Sequence, residues 1–377
     1  MEIKTFQKGD LSRDVGIVLG TRPGIVMFAP IIKVFRGNSI PHFIIHTGQH
    51  YSPNMDSQFF EDLKLPQPDY RLEGINLKKT HGGQTAKMLE GIEKILMNRR
   101  PHLVLVGGDA NTNLSGALAA RKLQIQVGHV EAGERSFDWR MPEEHNRVII
   151  DHISDYLFVT GNQAIKNLKN EGIKGKIHLT GNPIVDASLQ HLEIAKSNSD
   201  VLLDFGVQRK SYGILTMHRE ENVDNKNNLA NGLEGVSSAG KSLGMRILFL
   251  AHPRTLKRLG EFGLTDWVAE LPNLKMFPAV NYLSFLNLIA HASIVFTDSG
   301  GVQQEACIHK IPCVTLRENT EWVETIDIGA NRLAGCNPEK IVAAANTALN
   351  SKNSWSVPFG DGDSAQQIAQ ICSRIIQ

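Results

Sequence analysis

Cysteine is scarce in this chain, with four in 377 residues: Cys307, Cys313, Cys336 and Cys372. No two form a CxxC pair, and all lie in the C-terminal fifth. That spacing excludes a disulfide frame and a zinc knuckle, and predicts reduced, buried thiols. Excess charge of one sign is also missing, with 40 Lys and Arg against 39 Asp and Glu for a net of +1. Without a polybasic run, neither nucleic acid nor an anionic membrane surface is an expected partner. No apolar run reaches the ~18 residues of a membrane span. The start, "MEIKTFQKGDLSR", has no apolar stretch of the signal-peptide kind, so a cytoplasmic protein is expected. GxGxxG is absent, which disfavours a dinucleotide cofactor. HxH and HExxH are absent too, so no metal site is expected.

What the chain does have is a recurring unit. Short apolar runs rich in β-branched residues are each followed by glycine or polar residues and then by a helical pattern. They are "VGIVLG" (15–20), "FIIHTG" (43–48), "LVLVGGD" (103–109), "QVGHVEAG" (126–133), "YLFVTG" (156–161) and "KIHLTGN" (176–182). The habit resumes with "YGILTMH" (212–218), "RILFLAHP" (246–253), "SIVFTDSGG" (293–301) and "PCVTLRE" (312–318). Runs without polar alternation predict parallel strands covered on both faces. Two series in a chain of this length predict an α/β protein of two doubly wound, Rossmann-like domains. "TGNPIVDA" breaks the pattern, so the boundary is expected at residues 182–183. After the turn-forming "GDG", Ser364 and Gln367 offer a capping box for a last helix.

In doubly wound sheets, ligands bind beyond the carboxyl ends of the strands. Here the strand ends carry Arg22, His50, Asp109, Glu131, His218, His252 and Ser299, which suggests a cleft between the domains. Arg22 could clamp a phosphate or carboxylate, or be a solvated loop arginine. Ser299-Gly300-Gly301 opens a helix where free N–H groups and the dipole favour an anion; a tight turn needing glycine is the plain alternative. Glu305, one turn further, could accept from vicinal hydroxyls or simply be solvated. Asp109 and Glu131 end consecutive central strands, where a buried carboxylate needs a partner or a proton. Asp109 could instead cap the following helix. Glu143 and Arg147 are i, i+4 neighbours, as on any surface helix. A lone His218 after a strand is usually structural.

The motifs "GTRP", "TGQH", "GD", "HVEAG.RSFD..MPEE.NR", "GN.IVDA", "T.HR.EN", "HPRT", "TDSGGVQ.EA", "PCVTLR..TE" and "VPFGDG" occur in order. From residue 15 to about 375 the chain resembles the non-hydrolysing UDP-N-acetylglucosamine 2-epimerases, archaeal members most of all. The resemblance implies a glycosyltransferase-B-like fold of two Rossmann-like domains facing across a cleft. Residues 1–182 would carry the catalytic carboxylates, 183–358 would hold UDP, and a helix in 359–377 would cross back to the first domain. It implies C2 epimerisation of a UDP-2-acetamido sugar, UDP-GlcNAc to UDP-ManNAc, by loss of UDP to a 2-acetamidoglucal and re-addition. No cofactor is implied, and a homodimer is expected. By matching motif positions, Asp109, Glu131, Glu143 and His218 would be catalytic. Arg22, Phe285, Ser299, Gly300, Gly301 and Glu305 would bind UDP, with Phe285 beside uracil and Glu305 on ribose. Arg135 and Arg147 would hold the carboxylates ionised and oriented.

Departures keep other activities open. Gly24 and Met27 stand where the family has a glutamate and a lysine, and "TEWVE" (320–324) puts Trp322 and Val323 where arginine and proline are frequent. "GDANTN" replaces a "GDTTT"-like stretch. The alternatives are epimerisation of UDP-2,3-diacetamido-2,3-dideoxyglucuronate, hydrolysis to ManNAc and UDP, glycosyl transfer to an acceptor, and a weakly active nucleotide-sugar binder.

Overall fold

A computed structural model describes residues 11–49, 53–198, 201–351 and 354–377, so His50 lies outside the described residues. It contains two compact units, Met1–Ala187 with Phe359–Gln377, and Ser188–Pro358. In the first, β1 (Ser12–Leu19), β2 (His42–His46), β3 (Tyr70–Arg71), β4 (Pro101–Gly107), β5 (Gln126–Ala132), β6 (Tyr156–Val159) and β7 (Lys176–Leu179) form one sheet. Its order is β3-β2-β1-β4-β5-β6-β7, and every described pairing is parallel. In the second, the strands are β8 (Tyr212–Thr216), β9 (Arg246–Ala251), β10 (Leu274–Pro278), β11 (Ile294–Thr297), β12 (Cys313–Thr315) and β13 (Asn331–Leu333). Their order is β10-β9-β8-β11-β12-β13, again parallel.

The unbroken apolar runs have a direct structural cause, because helices cover both faces of each sheet. Alternate residues of one strand enter different cores. Ile247 and Phe249 of β9 pack in one cluster with Leu215 and Phe296. Leu248 and Leu250 join the opposite cluster with Ile214 and Val295. Each apolar run quoted above contains a strand. The short strands β3, β10 and β13 were not expected.

In both sheets the strand order reverses once, between β1 and β4 in the first and between β8 and β11 in the second. Connections there leave to opposite faces and open a crevice at the carboxyl ends. Asp109 follows β4, and Arg22 opens the helix after β1. His218 follows β8, and Ser299 follows β11.

The chain passes between the units inside the helix Pro183–Asn198, five residues beyond the expected boundary. The start of that helix is tied to the first unit. The Asn182 N–H donates to the Phe359 carbonyl at 2.7 Å, and Asp186 accepts the Ala365 N–H at 3.0 Å. The helix Ser364–Ile375 packs against the helix Arg22–Gly37 and buries Ile368, Ala369 and Cys372. Its N-cap is Asp363, not Ser364; Gln367 donates back to both Asp363 oxygens at 2.9 Å, and Ser364 is buried as the first helical residue.

All four cysteines are free, and Cys307, Cys313 and Cys372 are buried as expected. Cys336 departs from the expectation in being only half-buried. Among the described residues no helix is long and apolar enough to cross a membrane, and no group of three or more His, Cys, Asp and Glu could hold a metal.

Candidate functional site

Glu131 leaves β5 in an unusual way. Val130 pairs with Phe158 and Ala132 with Val159, so Glu131 is the extra residue of a β-bulge, and its φ is +68°. Bulges re-aim a side chain, and a non-glycine residue in left-handed backbone costs about 1–3 kcal/mol. The carboxyl so directed accepts from the Asn182 side chain at 2.9 Å. Desolvation raises it most, the neighbouring Asp109 raises it further, and Asn182, Arg147 and His129 oppose, leaving it at about 7.

Asp109 is not the cap of the next helix. The N-cap of Asn111–Lys122 is Ala110, and no side chain caps it. The Asp109 carboxylate instead pairs with the buried Arg147 guanidinium on the helix Pro142–Ile153. Arg147 also meets Glu144 at 2.8 Å, and Glu144 accepts the backbone N–H groups of Ser136 (2.9 Å) and Phe137 (2.8 Å). Burial alone would raise the Glu144 carboxyl, yet those donors and Arg147 hold it below its usual range. The expected Glu143–Arg147 pair does not form, because Arg147 is already shared by Glu144 and Asp109. Glu143 is half-buried in the first turn, with no hydrogen bond or ion pair from its side chain among the described residues.

Arg135 is a second correction. It does not reach Asp109, Glu131 or Glu143. Its buried guanidinium meets Asp151 at 2.8 Å and grips Glu171 through two bonds of 2.8 Å. Buried inside that frame, it is not placed to touch a substrate. Met27, buried in the helix Arg22–Gly37, lies beside the carboxylates. Its Cε and Glu131 Oε1 both lie 3.7 Å from where a Cβ on Gly108 would stand. Arg22 is exposed at the start of the same helix, and Thr21 caps it by accepting the Gly24 N–H at 3.2 Å.

In the second unit, the fully buried Asp298 organises the strand ends. It accepts the N–H groups of His218 (3.0 Å) and Arg219 (2.9 Å) and the Asn222 amide (3.1 Å). The His218 ring stands 3.5 Å from it, lowered chiefly by burial and supported by the Asp298 charge. His252, also at a strand end, caps its own helix by accepting the Arg254 N–H. Ser299 is the N-cap of Gly300–Ile308 without a side-chain capping bond, so the first N–H groups of that helix keep their capacity for an acceptor. A Cβ on Gly300 would strike the Glu321 carboxylate and lie 3.1 Å from Trp322 Nε1, which explains the glycine. Gly301 is exposed, with open space where a side chain would be. Trp322 therefore packs under the turn. Glu305, one turn into the helix, is buried, and desolvation alone lifts it to about 8. Phe285 is half-buried on the adjoining helix Tyr282–His291.

A sequence profile of the UDP-N-acetylglucosamine 2-epimerases matches residues 33–373. The chain belongs to that family. The UDP-N-acetylglucosamine 2-epimerase of Methanocaldococcus jannaschii is 51% identical over 361 residues, covering 95% of this chain and 98% of the relative. The UDP-2,3-diacetamido-2,3-dideoxy-D-glucuronate 2-epimerase of Pseudomonas aeruginosa is 37% identical, covering 95% and 99%. The crystal structure of the M. jannaschii epimerase in complex with UDP-GlcNAc and UDP superposes with a TM-score of 0.89 at 50% identity, covering 96% of this chain and 99% of that one. The α/β architecture of two Rossmann-like units is thus that of the 2-epimerase family, a glycosyltransferase-B-like fold. Asp298 and Asp151 were not singled out in the sequence, and Asn182 and Glu144 were read there only as a boundary residue and a first-turn carboxylate. "TDSGG" holds a signal for Asp298, a carboxylate between a strand end and a helix start.

Proposed function

We propose that this 2-epimerase interconverts UDP-GlcNAc and UDP-ManNAc. One observation carries the reading: two neighbouring strands end in carboxyl groups of opposite character, Asp109 paired with a guanidinium and Glu131 desolvated to about 7. Paired groups in divergent environments are how one site runs acid and base chemistry at neutral pH. The proton at C2 of the sugar is not acidic enough for simple removal, since no carbonyl adjoins it. Breaking C1–O sends the bonding pair out with UDP while a carboxylate takes the C2 proton, leaving a 2-acetamidoglucal. Re-addition of UDP at C1, with a proton delivered to the other face of C2, completes the inversion.

The second unit would hold the nucleotide. The N–H groups around Ser299, Gly300 and Gly301 suit a departing diphosphate, with His218 and Arg22 as further donors. Glu305 suits the ribose hydroxyls and Phe285 the uracil. Asp109, Glu131 and Glu143 would share the proton transfers. The relative named for N-acetylglucosamine is 51% identical and the one named for the diacetamido uronate 37%, which favours the former sugar. The enzyme would work in the cytoplasm as a homodimer without a cofactor, and sedimentation of the purified protein tests its assembly.

Proton NMR with UDP-GlcNAc in deuterated water tests the chemistry. Wild-type protein should exchange the C2 hydrogen and form UDP-ManNAc. Amide substitution at Asp109, Glu131 or Glu143 should cut turnover by about 100-fold or more with UDP still bound in calorimetry. Full activity in all three variants would reject the assignment. Accumulation of UDP with free ManNAc would make the protein a hydrolase.

A further inference from the structure

His129 lies on β5, two residues before Glu131, with no exposed surface. Its Nδ1 is 2.6 Å from Asp151 Oδ1, and its Nε2 is 3.1 Å from the Gly108 carbonyl oxygen. A carbonyl oxygen can only accept, so Nε2 carries a proton. The donors around Asp151 favour its ionised, accepting form. Its other oxygen takes the Gly133 N–H at 3.1 Å and meets Arg135 at 2.8 Å. Burial alone would raise that carboxyl, yet His129 and Arg135 hold it below its usual range. An ionised Asp151 leaves Nδ1 as the donor, so both ring nitrogens bear hydrogen. The four buried or partly buried groups, His129 and Arg135 against Asp151 and Glu171, then balance in charge.

The clamp acts on the backbone at both carboxylates. Gly108, with φ +78°, precedes Asp109 and donates its N–H to Val130 at 3.0 Å. Gly133, with φ +85°, closes the bulge that carries Glu131. We propose that His129 is a positioning residue for proton transfer at C2, a buried imidazolium held between Asp151 and the Gly108 carbonyl that fixes the backbone of Asp109 and Glu131, on the epimerase reading of those carboxylates. Its charge also acts on Glu131. Asp109, at the end of β4, favours the protonated carboxyl. Arg147 from the helix Pro142–Ile153, His129 from β5 and the Asn182 amide favour the ionised one. Without the His129 charge, Glu131 keeps its proton to higher pH.

The test has two readouts. In protein carrying 15N-labelled histidine, the ring signals that vanish in His129→Asn or, should that variant not fold, in His129→Gln should show hydrogen on both nitrogens at neutral pH. C2 exchange by His129→Asn should fall about tenfold or more at neutral pH, its Glu131-dependent limb should move up by on the order of one pH unit, and UDP affinity should be unchanged. A ring with a single proton overturns the proposal. So does a folded variant whose pH limb has not moved, since a merely structural role lowers activity equally at every pH. Wild-type protein that exchanges nothing at C2 overturns the epimerase reading instead, and leaves the ring measurement to judge the clamp.

Discussion

Glu305 buries a carboxyl with no side-chain donor among the described residues, and such a group is expensive to keep. Its value of about 8 in the folded chain stands well above the ordinary 4.5. Below the ordinary value both states are protonated and the folded state suffers no penalty. As pH rises towards 8 the unfolded chain releases the proton and the folded one does not, so stability falls across that window and levels off beyond it. Glu305→Gln should therefore raise the melting temperature of the ligand-free protein at pH 8 and change it little at pH 4.5. The same substitution should weaken UDP binding about tenfold or more, the worth of one charge-assisted hydrogen bond to a ribose hydroxyl. Calorimetry and thermal melts on the two proteins measure both effects. A gain in stability with no loss of affinity would remove Glu305 from the nucleotide site.

The bulge on β5 makes the same trade at the scale of an element. Glu131→Gly should relieve left-handed backbone and a desolvated carboxyl together, stabilising the chain by about 1–2 kcal/mol while abolishing C2 exchange. Gly133→Ala should do the reverse, destabilising by more than about 1 kcal/mol, because at φ +85° its Cβ would stand 2.6 Å from the Ala164 carbonyl. Denaturant unfolding of both variants checks the pair. The strands themselves were legible wherever both faces are covered, as in "LVLVGGD" and "RILFLAHP". Of the four edge strands, β7 was read from "KIHLTGN" but β3, β10 and β13 were not, since Tyr70–Arg71 is two residues long and Leu274–Pro278 is largely half-exposed. Carboxylates at strand ends were legible for the same reason, for position alone marks Asp109 and Glu131. Their supports were not. Asn182 reaches Glu131 from 51 residues away, and Asp298 holds the His218 backbone across 80. Arg135 was misread because spacing cannot tell which carboxylate a buried guanidinium will find; its partners lie on later segments, at Asp151 and Glu171.

At the scale of the whole molecule, the first unit is built from two distant pieces of chain and the second from one. Ending the chain at Pro358 would strip the helix Ser364–Ile375 from the helix Arg22–Gly37. It would also remove the Phe359 carbonyl from Asn182 and the Ala365 N–H from Asp186. The truncated protein should lose cooperative unfolding of the first unit and all C2 exchange, while its second unit still binds UDP. Calorimetric melts with and without UDP distinguish this from collapse of both. The same two-piece construction bears on how the protein is made. Domains commonly fold in the order in which they leave the ribosome. Here the segment encoded second, Ser188–Pro358, has all its residues in hand before the first unit does. The unit carrying Asp109 and Glu131 must wait for the last helix to be translated. Until then its Asn182 and Asp186 lack their partners, and the helix Arg22–Gly37 has an uncovered face. The growing chain thus completes Ser188–Pro358 first and the unit that carries Asp109 and Glu131 last, against the order of the gene.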